Sequence, residues 1–241
     1  MIPKKSLGQN FLIDKNIAKK ITNLINIKNK IIIEVGSGTG FLTDFILKKS
    51  PKKLFIIEKD NKLCKYLETK YKIEENVYII NQDILEFKFL KLKKINLISN
   101  LPYNISKNFI LKILKNKNII DEMVIMLQKE VAIKFNYNQG KLNKYKFLVS
   151  LCSDYKICFN VSKNVFLPKP KIDSAIVKFK FNRKNINWEK ADNFIKMIFN
   201  NKRKIIKNNM NLNIKRDLSS IINKRVDQIG LNEILKIYDL I

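Results

Sequence analysis

Histidine is absent from all 241 residues, and that absence narrows the chemistry at once. A Cys/His zinc site, a Ser-His-Asp triad and any imidazole base are excluded with it. Cysteine is scarce. Cys64, Cys152 and Cys158 form neither a C-x-x-C pair nor a disulfide framework, which points to a reducing compartment. No apolar run approaches the roughly 20 residues needed to cross a bilayer, and no basic amphipathic anchor stands out, so no membrane partner is expected. The N-terminus, Met1-Ile2-Pro3-Lys4-Lys5, enters patterned sequence almost immediately, with no apolar h-region and no room for a transit peptide. A cytoplasmic protein, or one made inside an organelle, is the expectation.

Acidic residues are also few: 21 Asp+Glu stand against 48 Lys+Arg, for a net charge of +27. Such an excess attracts polyanions. Lys, Asn and Ile crowd the whole chain, as a coding sequence biased toward A and T would produce, so the charge suggests nucleic acid without saying which kind. At 46% hydrophobic the chain can build a substantial core. Its length suits one α/β domain with a small appendage.

Strand-like and helix-like stretches alternate. Asp14 can cap a helix with Ile17, Ile21, Leu24 and Ile25 on one face. Lys30 to Val35 is a β-branched run fit for a strand buried on both faces, and a glycine-rich turn ends it. Further strands are expected at Leu54 to Ile57, Val77 to Ile80, Ile95 to Ser99, Met123 to Leu127 and Ile176 to Phe181, the last with its lysines outward. Helices fall between them, one opening at Asp60. This pattern predicts a parallel, doubly wound sheet over residues 1–182. From 183 to 241 the texture changes to a basic helical stretch, Trp188 to Met210, and two shorter helices near Leu218 and Ile234. These predict a small C-terminal helical domain.

The strongest local motif is Glu34-Val35-Gly36-Ser37-Gly38-Thr39-Gly40 at a strand end. Glycines there permit a tight turn and close backbone approach to a ligand. The spacing is E-x-G-x-G-x-G rather than the G-x-G-x-x-G of dinucleotide sites. Alone it is equally a simple glycine turn. Glu58 ends the next strand about 20 residues on, where a carboxylate can accept from both ribose hydroxyls. Gln82-Asp83 ends the strand after that, and its carboxylate can accept from an adenine amine. Three such groups on successive strand ends point to a nucleoside cofactor.

Ile95 to Ser99 runs into Asn100-Leu101-Pro102-Tyr103. Adenine N6 is a poor nucleophile, because its lone pair is delocalised into the ring. The Asn100 side-chain oxygen and the Leu101 carbonyl can accept its two N–H groups and aim that lone pair at an electrophilic methyl. Pro102 fixes the turn, and Tyr103 offers a ring for base stacking. In-line displacement helped by orientation needs no histidine.

With Lys5-Ser6-Leu7-Gly8-Gln9-Asn10-Phe11-Leu12, Met126 to Val131 and Phe166-Leu167-Pro168-Lys169-Pro170-Lys171-Ile172-Asp173-Ser174-Ala175, these motifs make the chain resemble the ribosomal RNA adenine dimethyltransferase family over about residues 4 to 182. The likeness is to its small-subunit type. It implies a Rossmann-like class I methyltransferase sheet with S-adenosylmethionine as methyl donor and no metal. The implied substrate is a pair of adjacent adenines in small-subunit rRNA, within a partly assembled particle. It further implies that Asn10 and Leu12 fold over the cofactor, that Gly36, Gly38, Glu58, Asp83 and Asn100 bind it, and that Phe166 clamps the target adenine opposite Tyr103. By itself, Phe166 reads equally as a core anchor.

Three features depart from the family pattern or match it weakly. Ser37 stands where proline is usual, and Asn143 to Phe147 replaces a common Tyr-Gly-Arg-Leu sequence. The C-terminal part is short, with Lys202, Arg203 and Lys204 as candidate phosphate contacts on a weakly matching basic helix. A large-subunit adenine methyltransferase is the nearest rival; Asp173-Ser174-Ala175 favours the small-subunit type. A non-catalytic nucleic-acid-binding factor and a DNA adenine methyltransferase are the other readings. Nothing resembles a dimer zipper, so a monomer is expected.

Overall fold

A computed structural model describes residues 9–89, 92, 94–200, 204–209 and 219–240. The chain separates into two compact units: Met1–Ala132 with Lys156–Asn182, and Ile133–Tyr155 with Arg183–Ile241. The sequence suggested one boundary, after residue 182; the units are divided at three places, because a middle segment joins the C-terminal helices.

In the first unit a short strand β1 (Phe11–Leu12) precedes helix α1 (Lys15–Asn23), which Asp14 caps by accepting from the Ile17 N–H at 2.9 Å. There follow β2 (Ile31–Val35), α2 (Phe41–Leu47), β3 (Lys53–Glu58), α3 (Asn61–Lys70), β4 (Val77–Asn81), β5 (Ile95–Ser99), α4 (Ser106–Lys115) and β6 (Ile120–Gln128). α5 (Lys129–Phe135), α6 (Lys144–Cys152), β7 (Ser153–Val161), β8 (Phe166–Leu167) and β9 (Ser174–Phe181) come next. The last helices are α7 (Trp188–Phe199), α8 (Ser219–Ile222) and α9 (Leu231–Leu240).

Seven strands form one sheet in the order β4-β3-β2-β5-β6-β9-β7, and β1 pairs with β8 in a separate two-stranded ladder. The first five are mutually parallel, while β9 runs antiparallel to β6. The sheet is therefore mixed rather than purely parallel; an antiparallel addition beyond an otherwise parallel sheet is a common arrangement. β5 is buried at every residue and β2 at all but its first, as expected of apolar runs covered on both faces. Of the lysines on β9, Lys180 is exposed. Lys178 is drawn back, its Nζ lying 2.8 Å from the Leu24 carbonyl at the end of α1 and 2.7 Å from Glu122.

Chain order places the ligand crevice. β2, β3 and β4 step outward in one direction, then β5 returns to the other side of β2. Loops leaving β2 and β5 diverge at their carboxyl ends, and that switch point is where doubly wound sheets bind ligands.

In the second unit, Phe147, Phe194 and Tyr238 meet with ring centroids 5.0 to 5.2 Å apart at the centre of an apolar cluster. The expected helix from Trp188 to Met210 ends at Phe199, with Asn200 as its C-cap; a 3-10 turn occupies Ile206–Asn209. Asparagine favours such end positions because its amide competes for backbone hydrogen bonds. Lys204 is exposed, and Lys202 and Arg203 lie outside the described residues.

Candidate active site

Strand register levels the candidate residues. Val35 lies opposite Ile57 on one side and Ser99 on the other, so Gly36, Glu58 and Asn100 all emerge at the same height. Ser99 reinforces the junction by donating its hydroxyl to the Val35 carbonyl at 2.6 Å. The three loops open on a cleft enclosing about 1190 Å³, open mouth included, walled also by residues 9–12 and by Asp83.

The glycine loop is built from backbone. Gly36 and Gly38 take φ of +68° and +60°, left-handed values that L side chains rarely adopt. An added Cβ at Gly38 would fall 2.7 and 2.8 Å from carbons of the Phe11 ring, so β1 lies directly on the loop. Glu58 ties the loop to β3: its carboxylate accepts from the Gly38 N–H at 3.3 Å and the Asp60 N–H at 3.0 Å. Burial pushes the Glu58 carboxyl above its ordinary range, and those backbone donors oppose the shift. Asp83 accepts from the Leu85 N–H at 2.8 Å and from Lys59 Nζ at 2.7 Å. Its partial burial works against ionisation, but Lys59 and the Leu85 amide prevail and hold the carboxyl below its usual value.

Behind the loop lies an acid that sequence reasoning assigned no chemistry. Glu34 is buried, accepts the Thr43 hydroxyl at 2.6 Å, and is pushed up to about 8, first by burial and further by Asp44 and Glu58. At neutral pH it is largely protonated. Its place at the head of the glycine motif is legible in sequence, but the retained proton follows only from the enclosure around it.

Across the cleft, Asn100 Nδ2 donates to the Asn10 carbonyl at 3.2 Å, and its Oδ1 has no hydrogen-bond partner among the described residues. Leu101 is buried, and the Tyr103 hydroxyl shares a 2.6 Å hydrogen bond with the wholly buried Ser174. Burial raises the Tyr103 phenol and the Ser174 contact lowers it, with burial prevailing. Pro102 stands close to Gly36, its Cδ lying 3.7 Å from where a Cβ would be. Asn10, Leu12, Gly36, Gly38, Glu58, Asp83 and residues 100–103 therefore share one cleft. Phe166 does not line it. That ring is 3% exposed, packed in the core cluster that includes Leu12, with which it pairs across the β1–β8 ladder.

The walls fit a nucleoside carrying an amino-acid tail. At Gly36 the turned backbone leaves room that a Cβ would occupy. Glu58 keeps lone pairs for ribose hydroxyls, and acceptors stand at both ends. This fold and cleft define a class I, S-adenosylmethionine-dependent methyltransferase. A 23S rRNA methyltransferase, ErmE, shares the fold with TM-score 0.80 at 19% identity, over 95% of this chain and 98% of that one. A dimethyladenosine transferase from Plasmodium falciparum does so with TM-score 0.80 at 24% identity, over 94% and 95%. The ribosomal RNA adenine dimethylase family model matches residues 3–240, and the chain belongs to that family. It is 43% identical over 216 residues to the ribosomal RNA small subunit methyltransferase A of Mesomycoplasma hyopneumoniae, covering 87% of this chain and 82% of that protein. Among the described residues, no helix is long and apolar enough to cross a membrane.

Proposed function

We propose that this protein transfers methyl groups from S-adenosylmethionine to N6 of two adjacent adenines in small-subunit rRNA, giving N6,N6-dimethyladenines during ribosome assembly. The reading rests above all on the open Asn100 Oδ1, held beside the glycine loop by the Val35–Ser99 register. The small-subunit choice follows the relative from Mesomycoplasma hyopneumoniae, named for that subunit. The large-subunit reading has no such support: the ErmE likeness, at 19% identity, speaks for fold alone.

The donor supplies an electrophilic methyl on a sulfonium. In our reading Glu58 holds the ribose, Asp83 the cofactor's adenine, and Gly36, Gly38, Asn10, Leu12 and Asn100 the remainder. Asn100 Oδ1 and the Leu101 carbonyl accept the two N6–H groups, which localises the nitrogen lone pair. The C–S bond breaks as the N–C bond forms, and the proton then leaves to solvent. Pro102 keeps the turn rigid, and Tyr103 stacks on the base. Phe166 takes the opposite face only after the β1–β8 ladder shifts, because its ring is buried there. Lys202, Arg203 and Lys204 meet RNA phosphates from the helical unit. The protein works as a monomer on a partly assembled particle, in the cytoplasm or an organelle interior.

Incubation of each unmodified subunit with donor, followed by mass spectrometry of the RNA, tests this. Two neighbouring dimethyladenines are expected in small-subunit RNA; methyl groups entering only large-subunit RNA would overturn it. Asn100→Ala is expected to lose methylation by about a thousandfold while keeping its RNA affinity. A wild-type protein that binds RNA but never consumes donor would end the enzyme reading.

A further inference from the structure

One polar atom in the cleft wall has no partner among the described residues. Ser37 Oγ is covered by protein and makes no hydrogen bond, the single buried side-chain atom of this kind among the described residues. The residue is 8% exposed and lines the cleft. A hydroxyl left buried and unpaired costs about 1–3 kcal/mol, and native structures rarely keep one without a use. Gly36 and Gly38 fix the backbone on either side of it. A serine hydroxyl is re-aimed by rotation about χ1 alone, whose staggered positions lie about 120° apart.

Position and charge say what that hydroxyl meets. Ser37 follows β2, one strand inward from Glu58 and two from the Asp83 turn. With the nucleoside held at Glu58 and Asp83, the amino-acid end of the donor falls over the ends of β2 and β5. That end carries a carboxylate. Lys59 is the sole cation among the described residues lining the cleft, and its Nζ is committed to Asp83 at 2.7 Å. Among the described residues, the carboxylate is thus left with neutral donors.

We propose that Ser37 is a specificity-determining residue for the amino-acid end of the methyl donor, its hydroxyl turning into the cleft to donate to that carboxylate. The proposal rests on the methyl-donor reading of the cleft. Calorimetric titration with S-adenosylhomocysteine and with 5′-methylthioadenosine, which lacks the amino-acid end, tests it on wild type and Ser37→Ala. Expected is an approximately tenfold loss of affinity for S-adenosylhomocysteine, with 5′-methylthioadenosine unchanged. The ligand-free variant is expected to melt no lower than wild type, because it sheds an unpaired hydroxyl. Equal losses for both ligands, or a lower ligand-free Tm, would make Ser37 a loop-shaping residue and overturn the proposal. Unchanged affinity for both would overturn it as well. A wild-type protein that binds neither ligand would instead sink the methyl-donor reading itself.

Discussion

In the proposed reading, the wall of the cleft that meets the donor and the wall that meets the target base are built by different means. On the donor side, left-handed glycines, strand-end amides and Glu58 present a surface made mostly of backbone, braced by the parallel register of β2, β3 and β4. On the acceptor side, Asn100 and Tyr103 are held by single side-chain hydrogen bonds, to the Asn10 carbonyl and to Ser174. Backbone is costly to re-form, whereas a side chain can be re-aimed by one bond rotation. On that reading donor recognition is rigid and acceptor recognition adjustable, as two successive methylations of one amine would require.

The sharpest way to break this contrast is Gly38→Ala. A left-handed φ costs an alanine about 1–2 kcal/mol, and the new Cβ also meets the Phe11 ring. We expect a total near 3 kcal/mol, read by calorimetry as a roughly hundredfold loss of affinity for S-adenosylhomocysteine. Adding Phe11→Ala should recover the crowding part but not the strain. Near-wild-type binding by the single variant would show that the donor wall is not a backbone wall.

The buried acid behind that wall gives the next largest effect. Glu34 carries a folded-state value of about 8 against an ordinary 4.5, so the folded protein holds a proton that the unfolded chain releases across that window. Stability from this proton is complete below about 4.5 and is lost as pH rises through about 8. Glu34→Gln mimics the protonated acid and removes the dependence. Between pH 6 and 8 its stability relative to wild type should gain about 2 kcal/mol, roughly 5 °C in relative Tm. Thermal melts of both proteins across that range check it, and parallel curves would mean that Glu34 is ionised throughout.

Legibility in the sequence followed the same division. β2 and β5 were readable because each is short and mostly apolar, and the loop after each strand carries its own motif. Gly36, Glu58, Asp83 and Asn100 could be read onto strand ends, and strand register then brought them to one cleft. Ser37 and Glu34 were not readable as special, because an unpaired hydroxyl and a protonated acid exist only once neighbours enclose them. Phe166 was ambiguous for a related reason: a phenylalanine before two prolines suits a stacking surface or a core, and burial is what separates the two. β7 escaped because Lys156 and Asn160 interrupt its apolar residues. The share of the middle segment in the helical unit depends on Phe147 meeting Phe194 and Tyr238, a contact that no local pattern announces.

On the acceptor side, Tyr103→Phe keeps the ring and removes the hydrogen bond to Ser174. The buried Ser174 hydroxyl then loses its partner, and a stability loss of about 1 kcal/mol is expected in denaturant titrations. Methylation should persist, since stacking needs only the ring. Tyr103→Leu should lower kcat/KM for the RNA by about tenfold. Equal activity loss in both variants would assign the role to the hydroxyl and make this wall as unforgiving as the donor wall.

The smallest expected effect probes an exposed side-chain pair in the donor wall. Lys59 is largely exposed, so its 2.7 Å pair with Asp83 is screened by solvent and contributes little. Lys59→Ala should let the Asp83 carboxyl rise toward its ordinary value while the Leu85 amide keeps it in place. Because the pair lowers the folded-state value, its contribution is present above the unfolded value and disappears as pH falls through the folded one. The variant should therefore bind S-adenosylhomocysteine less than threefold more weakly at neutral pH, and the deficit should shrink toward acid and in high salt. A tenfold deficit that persists in high salt would mean that Lys59 touches the ligand itself, and the donor wall would then depend on a mobile cation as well as on backbone.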